Sequence, residues 1–291
     1  MPVRIVQSKN NVRLKDLRRA FMRPGRETQG LVAIEGPHLV DEAIRAGVRI
    51  AAVFLRFTGK EAVGYRPRLE EDAEILLVQA DLFDAVVQTE TPQPVAALVE
   101  MPDWTWAHIL RDRAPWPPLL IVLAGVQDPG NLGTILRSAE AFKATGIISL
   151  PGTVSEWNAK AVRSSAGSAF RMPVIHATPE ECFTTLREAG ARVLTTSVSN
   201  ATPIHEANLT GPVAFLIGNE GAGVPAETAK QADSSITIPC PGPVESLNAA
   251  VAGSLLLYEA SRQRAAAPNS TLALHERIPG PLRRRPTGAT R

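Results

Sequence analysis

Short apolar runs alternate with helix-like segments along most of this chain of 291 residues. The predicted strands are runs of four to six mainly apolar residues, at 31–35, 50–55, 75–78, 94–99, 119–124, 147–150, 192–197, 213–217 and 235–239. Predicted helices lie between them, at 8–20, 38–46, 80–87, 132–144, 157–166, 179–189, from about 225, and at 246–264. This alternation predicts an α/β fold with a parallel sheet.

The pattern divides into two predicted domains. Pro115, Pro117 and Pro118 interrupt any helix, which indicates a linker over 106–118 between an N-terminal domain at 1–105 and a larger domain at 119–265. The first strand of the larger domain is apolar throughout, as is typical of a strand buried on both faces of a parallel sheet. In the first predicted helix, Val12, Leu14 and Leu17 form a narrow apolar stripe. The tail at 266–291 lacks periodicity and is predicted to be disordered.

Composition narrows the class of protein. No apolar run approaches the roughly 20 residues that span a bilayer, so we expect no membrane partner. The first residues lack the apolar region of a secretory signal, and two cysteines form neither a disulfide framework nor a metal cluster. We therefore expect a cytoplasmic protein without a metal. Residues 1–26 carry a net charge of +7 within a chain of net +2, which fits either a polyanion-binding segment or a solvated helix face.

Three segments stand where apolar runs give way to helix-like runs. The first motif is Asn-Leu-Gly-Thr-Ile-Leu-Arg at 131–137, the second is Ile-Gly-Asn-Glu-Gly-Ala-Gly at 217–223, and the third is Pro-Cys-Pro-Gly-Pro-Val-Glu-Ser-Leu-Asn at 239–248. In α/β sheets such positions carry the binding loops. In this order the motifs resemble those of the SpoU (TrmH-like) branch of the SPOUT RNA methyltransferases, over roughly residues 118–264. The resemblance implies methyl transfer from S-adenosylmethionine to a ribose 2′-hydroxyl of RNA.

The resemblance implies a catalytic set of Asn131, Arg137, Glu220, Ser246 and Asn248. Asn131 and Arg137 are about two helical turns apart, so we expect Asn131 at the helix start and Arg137 pointing along the same region. From the residues alone, a helix cap and a surface arginine remain an alternative for this pair, and Ser246 is well placed to cap the final helix. A guanidinium has a pKa above about 12, so we favour an electrostatic role for Arg137 over that of general base.

The same resemblance places the cofactor in the loops after the later strands. The positions expected to bind S-adenosylmethionine are Thr195, Ser197, Ile217, Gly218, Asn219, Gly223, Ile238 and Leu247. Residues 221–226 also match the Gly-x-Gly-x-x-Gly/Ala pattern of dinucleotide-binding proteins. That alternative expects an acidic residue at the end of the next strand, where this chain has Ile-Pro-Cys-Pro at 238–241. A nicotinamide oxidoreductase is therefore disfavoured.

The N-terminal domain carries a second, less specific resemblance. Ser-Lys-Asn at 8–10 with its basic helix, and Ile-Glu-Gly at 34–36, are similar to the ribosomal-protein-like α/β domain that binds RNA ahead of many SpoU domains. The residues expected to contact RNA are Lys9, Arg13, Lys15, Arg18, Arg19, Lys160 and Arg163. The resemblance further implies a C-terminal trefoil knot and a homodimer. We expect 23S rRNA as the substrate, with tRNA, or a catalytically silent role in ribosome assembly, as alternatives.

Overall fold

The computed structural model describes residues 3–24, 30–58, 73–87, 89–111, 116–197, 201–243 and 246–266. These residues form two compact units. The first unit contains the described residues of 1–103 and 157–171, and the second contains those of 104–156 and 172–266. Of the predicted disordered tail, only Ala266 is described, and it ends the last helix.

The first unit is built on a five-stranded mixed sheet. Its elements up to residue 100 are β1 (Val3–Val6), α1 (Val12–Met22), β2 (Leu31–Glu35), α2 (Pro37–Arg45), β3 (Ile50–Phe57), β4 (Glu74–Gln79), α3 (Ala80–Asp84) and β5 (Val95–Glu100). The strand order is β1-β4-β3-β5-β2, and β5 runs antiparallel to both of its neighbours. The α/β alternation predicted for this part of the chain is therefore present.

Helix α1 differs from its prediction in register. It begins after Asn11, whose side chain accepts a hydrogen bond from the Leu14 N–H at 3.2 Å, and not at Ser8. The buried face consists of Leu14, Leu17, Ala20 and Phe21. The predicted apolar stripe was wrong at Val12, which is 71% exposed. The buried face that contains Leu14 and Leu17 continues towards Phe21, and Val12 lies outside it.

The second unit is built on a seven-stranded parallel sheet. Its elements in chain order are α4 (Trp106–Leu110), β6 (Leu119–Ala124), α5 (Pro129–Ala141), β7 (Gly146–Ser149), β8 (Val174–His176), α7 (Pro179–Glu188), β9 (Arg192–Thr196), β10 (Thr202–Pro203), β11 (Val213–Gly218), α8 (Ala226–Ala229), β12 (Ser234–Thr237) and α9 (Ala249–Ala266), while α6 (Ala159–Ser164) belongs to the first unit. The strand order is β10-β12-β9-β11-β6-β7-β8. In the centre, β11 pairs with β6 from Val213 opposite Leu119 to Gly218 opposite Ala124. All residues of β6 are buried, as predicted.

The predicted linker contains a helix. Residues 106–110 form α4, and Ile109 is fully buried in the core of the second unit. Gly146 has no room for a side chain because a Cβ there would overlap Ile109. The linker prediction was therefore wrong for 106–110. A helix of five residues is too short to show a periodic apolar pattern in the sequence, and this one is anchored by a single buried side chain. Residues 112–115 of that linker lie outside the described part of the chain.

Residues 157–171 pack into the first unit, although they lie between β7 and β8 in sequence. Ala159 contacts the apolar cluster that includes Leu14, Leu17 and Phe21. Arg171 donates a hydrogen bond to Glu42 at 2.8 Å, and Gly167, at φ +93°, leaves room for the Glu42 side chain. The predicted helix 157–166 is limited to α6 at 159–164.

No helix among the described residues is both long enough and apolar enough to cross a membrane.

Candidate active site

The three motifs meet at the carboxyl edge of the seven-stranded sheet. The first motif lies in α5 after β6, the second begins at the end of the neighbouring strand β11, and the third leads into α9. Asn248 donates from Nδ2 to Asn131 Oδ1 at 2.9 Å, and Asn131 donates from Nδ2 to Glu220 Oε1 at 3.0 Å. One residue from each motif therefore joins a continuous chain of hydrogen bonds.

Glu220 holds the loop between β6 and α5. Its two carboxylate oxygens accept hydrogen bonds from the backbone N–H groups of Gln127 and Asp128, each at 3.2 Å, besides the one from Asn131. Burial by itself raises the pKa of Glu220, but these hydrogen bonds outweigh it and place the pKa below its ordinary value. The ionised carboxylate is thus favoured in the folded state, and its stabilising contribution is lost as the pH falls through that lowered pKa.

Asn131 is buried in the first turn of α5, with 8% of its surface exposed. The cap of this helix is Asp128, whose side chain accepts from the Gly130 N–H at 2.7 Å, and Pro129 occupies the first helical position. The helix therefore begins three residues before the predicted start at Leu132. Because Asp128 satisfies the helix terminus, the Asn131 amide is left to connect Glu220 with Asn248.

Asn248, and not Ser246, caps α9. Asn248 Oδ1 accepts hydrogen bonds from the N–H groups of Ala250 at 2.9 Å and Val251 at 3.3 Å. The prediction that Ser246 caps the final helix was wrong because the helix begins at Ala249. Ser246 is exposed in front of the helix, and the side chain of Asn248 both caps the amino end of α9 and bonds to Asn131.

Arg137 lies on the exposed side of α5. Six residues of α-helix correspond to a rotation of about 600°, so Arg137 and Asn131 lie about 120° apart around the helix axis. The expectation that both point along the same region is therefore wrong: one is buried and the other faces outward. Within the described residues, no side chain or backbone group is bonded to the Arg137 guanidinium. Its charge is available to an anionic ligand.

The second motif folds into a tight turn. The backbone groups of Asn219 and Gly223 exchange two hydrogen bonds of 2.9 Å, and the Asn219 Oδ1 accepts from the N–H groups of Gly221 and Ala222. Gly223 has φ +70°, and a Cβ on Gly218 would overlap the backbone of Gly223. The dinucleotide-like glycines thus serve this turn, and the Asn219 side chain is used in forming it.

The other cofactor candidates lie at the ends of neighbouring strands. Thr195 is buried near the end of β9, and Ser197, just beyond it, donates its backbone N–H to Ile236 of β12 at 2.9 Å. Ile217 is buried in β11, Ile238 follows β12, and Leu247 precedes α9. Because β12, β9 and β11 are adjacent and parallel, their carboxyl ends share one edge of the sheet. Among the described residues, no cluster of side chains suited to a metal ion is present.

The candidate RNA-binding residues have different environments within the first unit. Arg13 donates to Glu74 at 2.8 Å, and its side chain is 40% exposed, so its charge is paired with a carboxylate at the protein surface. Lys15, Arg18 and Arg19 are exposed at helical spacing on α1, and Arg19 lies 3.6 Å from Asp16. Lys9 is exposed ahead of this helix, and both Lys160 and Arg163 are exposed on α6.

The comparisons with known proteins identify the chain's family. Residues 118–258 match the SpoU rRNA methylase family, and residues 11–97 match the MRM3-like substrate binding domain. The 23S rRNA (guanosine(2553)-2′-O)-methyltransferase RlmP of Bacillus subtilis is 32% identical over 253 residues, which are 87% of this chain and 97% of the relative. The chain therefore belongs to the SpoU rRNA methylase family.

Solved structures support the same assignment. The S-adenosylmethionine complex of the SpoU methyltransferase AviRb from Streptomyces viridochromogenes has a TM-score of 0.76 and 28% identity, covering 88% of this chain and 99% of that one. The S-adenosylmethionine-bound rRNA methyltransferase from Sinorhizobium meliloti has a TM-score of 0.76 and 29% identity, with coverages of 89% and 98%. Three predictions are therefore confirmed: the activity of an RNA 2′-O-methyltransferase, S-adenosylmethionine as its cofactor, and the α/β fold.

Proposed function

We propose that this protein methylates a ribose 2′-hydroxyl of 23S rRNA, with Asn131, Arg137, Glu220, Ser246 and Asn248 forming the active site. The hydrogen-bonded chain from Asn248 through Asn131 to Glu220 is the observation that carries this assignment of residues. It joins three segments that are remote in sequence at one edge of the sheet. The name of the Bacillus subtilis relative supports the choice of 23S rRNA.

The cofactor site we propose lies at the adjoining ends of β9, β11 and β12. When bound, S-adenosylmethionine supplies an electrophilic methyl group on a sulfonium. The backbone of Ile217, Gly218, Ile238 and Leu247 would hold it, with Thr195, Ser197, Asn219 and Gly223 completing the surrounding loops. The glycine turn fits this group because the space that a Cβ on Gly223 would fill is open, so no side chain there keeps a ligand away.

The proposed role of Arg137 is electrostatic. As the ribose oxygen bonds to the methyl carbon, the carbon–sulfur bond breaks and the hydroxyl proton must leave. A guanidinium remains charged at neutral pH, so it stabilises the developing negative charge and a neighbouring RNA phosphate, and the proton passes to the phosphate or to water. The exposed position of Arg137, without a partner in the described part of the chain, supports this role.

Glu220, Asn131 and Asn248 act differently in this proposal. Their side-chain oxygens accept hydrogen bonds from the loop before α5, from one another and from the first turn of α9. They therefore hold the starts of α5 and α9 in place, so that Arg137 and the exposed Ser246 face the substrate. This division assigns positioning to the hydrogen-bonded network and substrate contact to Arg137 and Ser246.

RNA binding by the first unit is proposed to use the exposed face of α1. Lys15, Arg18 and Arg19 lie on that face with Lys9 nearby, and the match of residues 11–97 to a substrate-binding domain supports this role. Lys160 and Arg163 on α6 extend the set of candidate contacts within the same unit. We leave Arg13 out of the proposed contact set because its charge is paired with Glu74.

Neutralising the α1 face should weaken RNA binding and its dependence on salt. For the double variant Lys15→Gln/Arg18→Gln, we expect the slope of log affinity against log salt to fall by about 0.7–0.9 for each lost phosphate contact. Filter binding across a salt series measures this. The full chain is used because residues 157–171 pack against residues that a truncation at 105 would remove.

Arg13→Gln is the control for this experiment because it removes one positive charge from the same helix. Its charge is already paired with Glu74, so we expect the salt slope to stay at the wild-type value. A slope that is unchanged in Lys15→Gln/Arg18→Gln, or equally reduced in Arg13→Gln, would refute RNA contact by this face.

A homodimer is also part of the proposal. Val251, Leu255 and Tyr258 are 47%, 39% and 51% exposed and follow one face of α9 at helical spacing. An exposed apolar stripe of this kind is typical of a surface that a second copy covers. We also propose that the C-terminal segment forms the trefoil knot that the family resemblance implies. A cytoplasmic location is the last part of the proposal.

Placing a charge in this stripe should dissociate the dimer. Leu255→Arg should shift the protein to the monomer mass in analytical ultracentrifugation, because an unpaired charge cannot be buried in an apolar interface. Met22→Arg is the matched control, since Met22 is an apolar residue of α1 that is 67% exposed. If wild-type protein is already monomeric, or if Leu255→Arg remains dimeric, the α9 interface is wrong.

The substrate assignment can be tested in cells. Ribose methylation mapped across 23S rRNA and tRNA from a strain lacking this gene should show one lost 23S rRNA site. Loss of a tRNA site would favour the tRNA alternative instead. Unchanged methylation in both RNAs would favour the catalytically silent role in ribosome assembly.

A further inference from the structure

We propose that Thr153 is a positioning residue for methyl transfer, acting through the loop that connects β6 to α5. Thr153 lies outside the three motifs, in the segment that follows β7. The inference rests on the proposed role of α5 in catalysis, because it concerns how the start of that helix is held.

The Thr153 hydroxyl bonds to the backbone on both sides of Ala124, the last residue of β6. It accepts a hydrogen bond from the Gly125 N–H at 3.0 Å and donates one to the Leu123 carbonyl at 3.1 Å. The neighbouring Val154 N–H donates to the Val126 carbonyl at 2.9 Å. Thr153 thus fixes the direction in which the chain leaves β6.

Gly125 turns the chain as it leaves β6, and hydrogen bonds hold the peptide groups on both sides of it. Gly125 has φ +82°, a conformation in which side-chain-bearing residues are strained. Its carbonyl accepts a hydrogen bond from Asn219 Nδ2 at 2.9 Å, so Gly125 is held by Thr153 through its N–H and by the second motif through its carbonyl. Thr153 and Asn219 therefore secure the same residue from two different elements.

Gly125 is followed directly by the rest of the loop between β6 and α5. Two and three residues after Gly125, the N–H groups of Gln127 and Asp128 bond to Glu220, and Asp128 then caps α5. An error in the direction of the chain at Gly125 would move the start of α5, and with it Asn131 and Arg137. Displacements of about 1 Å in a positioning element can reduce the rate of a reaction by about a hundredfold.

The chain offers a matched control at the opposite end of the same strand. Thr145 accepts a hydrogen bond from the Leu119 N–H at 3.3 Å and donates one to the Leu119 carbonyl at 3.2 Å. Both threonines are half-buried and both bond to the backbone of β6. Thr145 lies at the amino end of the strand, away from the edge that carries the motifs.

The test compares Thr153→Val, Thr153→Ser and Thr145→Val in steady-state methylation of rRNA, together with urea unfolding. Thr153→Val should lower kcat about tenfold and leave KM for S-adenosylmethionine within about twofold. Thr153→Ser, which keeps the hydroxyl, should restore kcat to within about twofold of wild type. Thr145→Val should lose similar stability to Thr153→Val but keep its kcat.

Two outcomes would overturn the inference, provided that the wild-type protein methylates rRNA. The first is a normal kcat for Thr153→Val, and the second is a loss of kcat in Thr145→Val as large as that in Thr153→Val. The first would mean that the loop needs no hydroxyl support, and the second would mean that only stability matters. Failure of the proposed function is distinguishable because the wild-type protein itself would then transfer no methyl group to RNA.

Discussion

Replacing Arg137 by alanine should reduce methyl transfer by at least about a hundredfold and leave the affinity for S-adenosylmethionine within about twofold of wild type. The proposed partners of the guanidinium are an RNA phosphate and the developing ribose oxyanion, neither of which is part of the cofactor. Arg137 is exposed on α5, and its charge is not bonded to any described residue, so its removal leaves no buried group unpaired. Calorimetry with S-adenosylhomocysteine and a tritium-transfer assay separate binding from chemistry.

Two further variants sharpen this prediction. Arg137→Lys should remain severely impaired because an ammonium cannot reproduce the planar, two-pronged contact of a guanidinium with phosphate. Arg187→Ala is the matched control, since Arg187 is another exposed arginine on a helix of the same unit, and it should keep full activity. Near-normal turnover of the lysine variant would contradict the geometric part of the argument.

The largest loss of stability is expected at Arg264. This arginine is only 5% exposed and donates hydrogen bonds to the carbonyls of Leu209, Gly211, Pro117 and Pro118. Burial lowers the pKa of Arg264 to about 10, so the guanidinium is still charged at neutral pH. The four carbonyls join α9 to the start of β6 and to the loop before β11.

Arg264→Ala should therefore lower the free energy of unfolding of the second unit by about 3 kcal/mol, because the carbonyls of Leu209 and Pro118 lose their donor in buried surroundings. Urea unfolding followed by circular dichroism gives this value. Arg187→Ala is the control: Arg187 is exposed on α7 of the same unit, so its loss should cost less than about 1 kcal/mol. Equal losses from the two variants would contradict the bonding role assigned to Arg264.

The sequence predicted the sheet of the second unit where the strands are long and apolar. Strands β6 and β11 are almost entirely buried, so their composition alone indicates central positions. Strand β8 has three residues and β10 has two, which is too few to form a pattern. The packing of 157–171 into the first unit depends on contacts such as Arg171 with Glu42, which are distant in sequence.

The motifs name candidate residues for the site, but the sequence did not predict how these residues are arranged. The motifs named Asn131, Glu220 and Asn248, and the structure brings these three together. The pair Asp128–Pro129 is a helix-start signal, a cap followed by proline at the first position, and it would have placed the start of α5 correctly. No local signal points to Thr153, because its role depends on a strand end 28 residues earlier in the chain.

The most direct test of the central claim is the chemical identity of the product. Purified protein is incubated with S-adenosylmethionine and 23S rRNA lacking its modifications, and the RNA is digested to nucleosides for mass spectrometry. We expect one 2′-O-methylated nucleoside that is absent when Arg137→Ala replaces the wild-type protein. A methyl group found on a base, or no transfer to 23S rRNA, would contradict it.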